Sequence, residues 1–185
     1  MFYAKNPTVA TYAKSGEVRL RITAKAETAD EADKMCAPVV DEICSRLGDV
    51  VYGTDMNSIE ERVVALLKEK GKKIATAESC TAGYIPKRLT DIPGASEVFE
   101  CGIVSYSNDI KMKLLDVSPE TLDTYGAVSE QTAREMALGA KRVSGADIAI
   151  STTGLAGPGG DGVLPGGLSF VAVTDGDRVF VEKIV

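Results

Sequence analysis

Residues 72–83 read Lys-Lys-Ile-Ala-Thr-Ala-Glu-Ser-Cys-Thr-Ala-Gly. A run of strand length stops at Glu78, small residues follow, and a helical pattern then extends to about Asp91. A strand that leads straight into a helix start is the building unit of layered α/β folds. The turn between them also has chemical potential. The first N–H groups of a helix are unpaired, and the positive end of its dipole lies there. A serine at 79 would be both exposed and rigidly held. Taken alone, the same serine is equally well explained as a helix cap.

The same alternation continues toward the C-terminus. Residues 101–106 look like a strand and 109–115 like a helix. Ser118-Pro119 is a helix cap followed by proline at the first helical position. Ser129 caps a helix that turns Ala133, Met136, Ala137, Ala140 and Val143 inward. Residues 146–152 form a strand that runs into the loop Thr-Gly-Leu-Ala-Gly-Pro-Gly-Gly. Strand-like runs at 168–174 and 178–184 follow, joined by the hairpin signal Asp175-Gly176.

Toward the N-terminus, Ser58 and Glu61 make a capping box ahead of Ile59, Val63, Leu66 and Leu67. The polar turn at 53–57 marks a boundary. Before it, residues 17–26 alternate apolar and polar, Thr28 and Glu31 form another capping box, and Gly48 stops the helix. Pro38 inside that helix is expected to kink it. Residues 49–52 read as a short strand, so this part is expected to be strand–helix–strand. The expected organisation is a small α+β unit at 1–54, then 55–185 as a three-layer α/β/α domain on a mixed, mostly parallel sheet.

Composition excludes several chemistries. The chain of 185 residues contains no histidine and has a formal net charge of −6. Without histidine there is no Ser–His–Asp or Cys–His machinery, and a hydrolytic site must move protons with Lys, Tyr, Asp or Glu. No basic stripe is present, which argues against nucleic acid as a partner. The four cysteines at 36, 44, 80 and 101 have no zinc-ligand spacing. Cys36, Cys44 and Cys101 are expected to be small core residues. No apolar run has the length of a membrane span, and residues 1–14 lack the apolar core of a signal peptide. The expectation is a cytoplasmic protein with no membrane partner, no metal and no cofactor.

Three segments could carry chemistry, each following a strand. They are Ala77 to Gly83, then Gly102 to Asn108 followed by Lys111, with Tyr106, Asn108 and Lys111 as its polar groups, and then the glycine-rich loop from Thr152 to Gly160. A lysine close to a serine can serve as its base when burial lowers its pKa. By itself Lys111 reads equally well as a solvated surface residue, and the loop as a plain flexible connection.

Taken in order, AESCTAG at 77–83, GIVSYSNDIKMKLLDV at 102–117, GAVSEQTAREMALGA at 126–140 and STTGLAGPGG at 151–160 resemble the CinA C-terminal-domain family. That family is also known as the PncC-type nicotinamide mononucleotide deamidases. PTVATYAKSGEVRLRITAKA at 7–26 resembles the KH-like linker that precedes this domain in long CinA proteins. It has no GxxG loop, so RNA binding is not expected of it.

The resemblance implies an amidase that converts nicotinamide mononucleotide to nicotinic acid mononucleotide and ammonia. Ser79 would be the nucleophile, Lys111 its base, and Tyr106 a proton relay or positioning group. Backbone N–H groups of Cys80 and Thr81 would hold the oxyanion. Substrate contacts would come from Glu78, Cys80, Thr81, Gly83, Asn108, Thr153, Gly154 and Gly157. The implied partners are a small-molecule nucleotide and further copies of the chain, as a homodimer or higher homo-oligomer. The family usually reads CTGG where this chain has Ala82. It also continues beyond the last strand and, in long members, carries a molybdopterin-binding-like first domain. The alternative function is a non-catalytic nucleotide-binding or assembly module.

Overall fold

A computed structural model describes residues 5–14 and 16–185. The chain divides into two units, Met1–Asp55 and Met56–Val185.

In the first unit, β1 (Thr8–Lys14) and β2 (Glu17–Thr23) form an antiparallel hairpin, and α1 spans Ala29–Leu47. Thr28 and Glu31 close the expected reciprocal capping box, and α1 continues through Pro38 to its stop at Gly48. The order strand–helix–strand is corrected to strand–strand–helix. Gly48–Val50 is a 3-10 turn, and the described residues from 51 to 55 form no strand. The partner of β2 precedes it instead: Thr8–Lys14 alternates too weakly in hydrophobicity to stand out, and the pairing itself makes it a strand.

The second unit begins with α2 (Ile59–Glu69), whose Ser58 cap accepts from the Glu61 N–H. The Glu61 carboxylate accepts from the Asn57 N–H at 2.7 Å. There follow β3 (Ile74–Glu78), α3 (Tyr84–Thr90), β4 (Phe99–Val104), α4 (Asn108–Leu115), α5 (Pro119–Tyr125), α6 (Glu130–Ser144), β5 (Ile148–Gly154), β6 (Ser169–Thr174) and β7 (Val179–Ile184). The sheet order is β4-β3-β5-β6-β7. β3 is parallel to both β4 and β5, whereas β5–β6 and β6–β7 are antiparallel. Four of the five strands therefore point the same way, and the sheet is mixed as expected.

Period-two alternation distributes the apolar residues to two helical layers. Ile74 joins Val64, Leu67 and Leu89 on the face covered by α2 and α3. Ala77 and Ala149 join Leu115, Met136 and Ala140 on the face covered by α4 and α6. Farther along that second face, Ala133 and Ala137 of α6 pack on Ala172, with Phe170, Val179 and Val181 beside them. The four cysteines are free and half-buried, so Cys36, Cys44 and Cys101 are not the fully buried core residues expected.

α6 also meets the end of α4 at very short range. A Cβ built on Gly139 would lie 2.1 Å from the carbonyl oxygen of Leu115. Helix propensity alone predicts that Gly139→Ala stabilises by about 1 kcal/mol. The collision with backbone reverses the sign, and we expect a loss of about 1–3 kcal/mol, read as a lower urea midpoint.

Candidate active site

The β3–α3 turn is built around a buried carboxylate. Glu78 is 0% exposed and accepts from the N–H groups of Gly83, Tyr84 and Ile85 at 3.1, 3.0 and 3.2 Å. It satisfies the orphan donors of α3 and sets a negative charge at the positive end of the helix. The chain must curl tightly to return to its own carboxylate. Ala82 (φ +49°) and Gly83 (φ +95°) both take positive φ to do so. For alanine that costs roughly 1 kcal/mol, consistent with the small side chain there. The Ser79 N–H donates to the Thr152 carbonyl at 2.9 Å, and the Thr81 and Thr152 hydroxyls share a 2.6 Å bond. Ser79 is thereby fixed to β5.

On the other side, the Ser105 N–H donates to the Glu78 carbonyl at 2.8 Å and joins the ends of β4 and β3. Ser107 caps α4, accepting from the Ile110 N–H, and the first turn of α4 carries Lys111 back under the sheet ends. Lys111 is 1% exposed. Its Nζ donates to Ser79 Oγ at 3.0 Å, to the Ser105 carbonyl at 2.8 Å and to the Tyr106 carbonyl at 3.0 Å. Burial pushes this amine below the ordinary lysine range, and the neighbouring Cys80 opposes the shift.

Ser79 and Lys111 open on a pocket of about 340 Å³, completed by Cys80, Tyr106, Ala127, Val128 and the loop from Thr153 to Pro158 with Gly160. The Thr153 hydroxyl donates to the Ala127 carbonyl at 2.6 Å and ties two walls together. Gly154 has no room for a side chain, since a Cβ there would sit 2.4 Å from Ser169 Oγ and 2.7 Å from the Leu168 carbonyl.

The pocket thus gathers seven of the residues singled out in the sequence: Ser79, Cys80, Tyr106, Lys111, Thr153, Gly154 and Gly157. Glu78, Thr81, Gly83 and Asn108 lie outside its lining. Glu78 and Gly83 hold each other, Thr81 holds Thr152, and Asn108 opens α4. Tyr106 reaches Lys111 through its carbonyl, and the residue, one of those lining the pocket, is 74% exposed. Among the described residues, none accepts a hydrogen bond from the N–H of Cys80 or Thr81. Ala127 and Val128 were missed as lining residues. They lie in a segment whose motif was legible, but neither side chain carries chemistry that would single it out.

The family model of the CinA C-terminal domain matches residues 56–185, and that of the damage-inducible protein CinA KH domain matches residues 1–53. The chain belongs to the CinA family. A CinA-like protein of Desulfovibrio desulfuricans is 49% identical over 97% of this chain and 42% of its own length. A CinA-like protein of Kosmotoga olearia is 47% identical over 97% of this chain and 44% of its own. The chain therefore spans less than half the length of these curated relatives. Among solved structures, the competence/damage inducible protein CihA from Agrobacterium tumefaciens is 40% identical, with a TM-score of 0.65 over 71% of this chain and 84% of that one. A CinA superfamily protein from Klebsiella pneumoniae is 34% identical, also with a TM-score of 0.65, over 67% of this chain and 78% of that one. Among the described residues, no helix is long and apolar enough to cross a membrane.

In this CinA-family chain the Glu78 carboxylate is a positioning group. Glu78→Gln keeps the shape but replaces a charge and one acceptor by an amide that donates. We expect a stability loss of about 1–3 kcal/mol by urea titration.

Proposed function

We propose that the chain hydrolyses the carboxamide of nicotinamide mononucleotide, releasing ammonia and nicotinic acid mononucleotide, with Ser79 as nucleophile and Lys111 as base. The observation that carries this reading is the 3.0 Å contact of Lys111 Nζ with Ser79 Oγ, made by an amine whose other contacts are two backbone carbonyls. A carbonyl can only accept. A neutral amine has two N–H groups and one lone pair. Giving both N–H groups to Ser105 and Tyr106 leaves the lone pair facing Ser79, whose hydroxyl then becomes the donor. The surroundings that lower the pKa of Lys111 also aim it.

The reaction then runs in two halves. Lys111 takes the hydroxyl proton as Ser79 Oγ bonds to the carboxamide carbon. The N–H groups of Cys80 and Thr81, which no described residue engages, are available to the oxyanion. The C–N bond breaks, the protonated Lys111 gives its proton to the departing nitrogen, and ammonia leaves. Water attacks the resulting ester, Lys111 accepts its proton and returns it to Ser79, and the acid is released. Thr153, Gly154 and Gly157 lie on the wall where the ribose phosphate would rest.

Ammonia release from nicotinamide mononucleotide tests the reading directly. The parent chain is expected to turn over, and Ser79→Ala and Lys111→Met each to lose at least about 10³-fold in kcat. A folded parent that binds the nucleotide but releases no ammonia would support a non-catalytic binding module.

The pH profile is a separate test. The base acts when unprotonated, so kcat/KM should rise with pH through the Lys111 pKa and then level off. Because burial lowers that pKa, the midpoint is expected below the range in which exposed lysines titrate, about 10.4. A midpoint at the ordinary lysine value would remove Lys111 as a burial-tuned base.

A further inference from the structure

The ring of Tyr106 is not explained by its part in holding Lys111. That part is played by its backbone carbonyl at 3.0 Å, which any residue could supply. The phenol has no hydrogen-bond partner among the described residues, and Tyr106 is 74% exposed and is one of the residues lining the pocket. An aromatic side chain left open to solvent beside a buried Ser–Lys pair is available to a flat ligand. Its backbone is anchored there, because the neighbouring Ser105 N–H is bonded to β3 and its own carbonyl to Lys111, while the ring is free to turn onto a ligand.

The electrostatics of the wall narrow the ligand further. None of the residues lining the pocket is acidic, and Lys111 is the one ionisable cation among them. A cationic ring entering here meets no carboxylate, and Tyr106 is the one aromatic residue among those lining the pocket. Aromatic faces attract cations within about 6 Å of the ring centroid.

We propose that Tyr106 is a specificity-determining residue whose ring face selects an N-substituted, positively charged pyridinium carboxamide over its uncharged dihydropyridine counterpart. The proposal rests on the amidase reading above for the identity of the amide. It assigns Tyr106 to ring recognition, in place of proton relay through its hydroxyl.

The test compares oxidised and reduced nicotinamide mononucleotide, which share ribose and phosphate and differ in ring charge. Dissociation constants are measured on the Ser79→Ala chain, so that no ligand is consumed, and again with Tyr106→Phe or Tyr106→Leu added. The expected result is a preference for the oxidised form that Tyr106→Leu reduces about tenfold and that Tyr106→Phe restores. In the Ser79-containing chain, Tyr106→Leu should raise KM by a similar factor and change kcat much less, again with rescue by phenylalanine. Equal affinities for the two forms, tighter binding of the reduced form, failure of both forms to bind, or a preference unmoved by leucine would overturn the proposal. So would a kcat loss shared by Phe and Leu, since that would place the function in the hydroxyl. A parent that prefers the oxidised form but releases no ammonia would defeat the amidase reading and leave the ring assignment standing.

Discussion

A lysine amine held out of water is the constraint around which this domain is arranged. Burying an ammonium-sized charge costs several kcal/mol even after relaxation. The fold can carry Lys111 because three acceptors surround its nitrogen and the amine can become neutral. Each acceptor brings its own requirement. The Ser105 and Tyr106 carbonyls must converge where β4 ends, so β4 must stop there, and the Ser105 N–H bonded to Glu78 holds it in place. Ser79 must sit one residue past β3, so the chain must curl, and the buried Glu78 carboxylate compensates the curl by capping α3. Removing any one of these supports leaves a buried polar group without its partner.

The sheet order brings the three relevant strand ends together. β3 lies between β4 and β5, although β4 and β5 follow it in sequence with four helices among the connections. Loops at the C-terminal ends of β3, β4 and β5 therefore meet where the strand order reverses, the usual place for a ligand in an open α/β sheet. All of β3 is buried, and its sequence Ile-Ala-Thr-Ala-Glu is small enough to let helices approach from both sides. The antiparallel β5–β6–β7 meander extends the platform, and its first connection supplies the glycine-rich wall.

Much of this was legible in the sequence because it rests on local rules. Capping serines and threonines at 28, 58, 118 and 129 marked helix starts, and alternation marked β2 in the first unit. Local signals failed where pairing decided the outcome. Thr8–Lys14 becomes a strand because β2 pairs with it, whereas residues 49–52 have the composition of a strand but pair with no strand among the described residues. At the site, residue type alone left Ser79 open as a helix cap and Lys111 as a solvated lysine; the ordered CinA motifs singled them out, in agreement with the absence of histidine. The direction of side chains was not legible. Glu78 and Thr81 flank the serine and look equally available, yet the tight turn directs one to α3 and the other to β5. The family resemblance gave Tyr106 a proton-relay or positioning role; the structure engages its carbonyl with Lys111 and leaves the residue exposed.

The backbone contact between Gly139 and Leu115 has a bearing on how such a domain can change over time. α4 carries Lys111, the proposed base, in its first turn and abuts α6 at its last. The seat of Leu115 against Gly139 therefore sets how far Lys111 reaches toward Ser79. A position that touches no substrate and carries no functional group would then be filtered by selection on turnover as much as by selection on folding. Variants that repack α6 could drift in stability without penalty yet be discarded because the base is displaced. The evolutionary freedom of this helix is thus narrower than its distance from the pocket suggests. Laboratory libraries aimed at changing substrate would do better to leave the α4–α6 contact intact and vary the wall from Thr153 to Gly160.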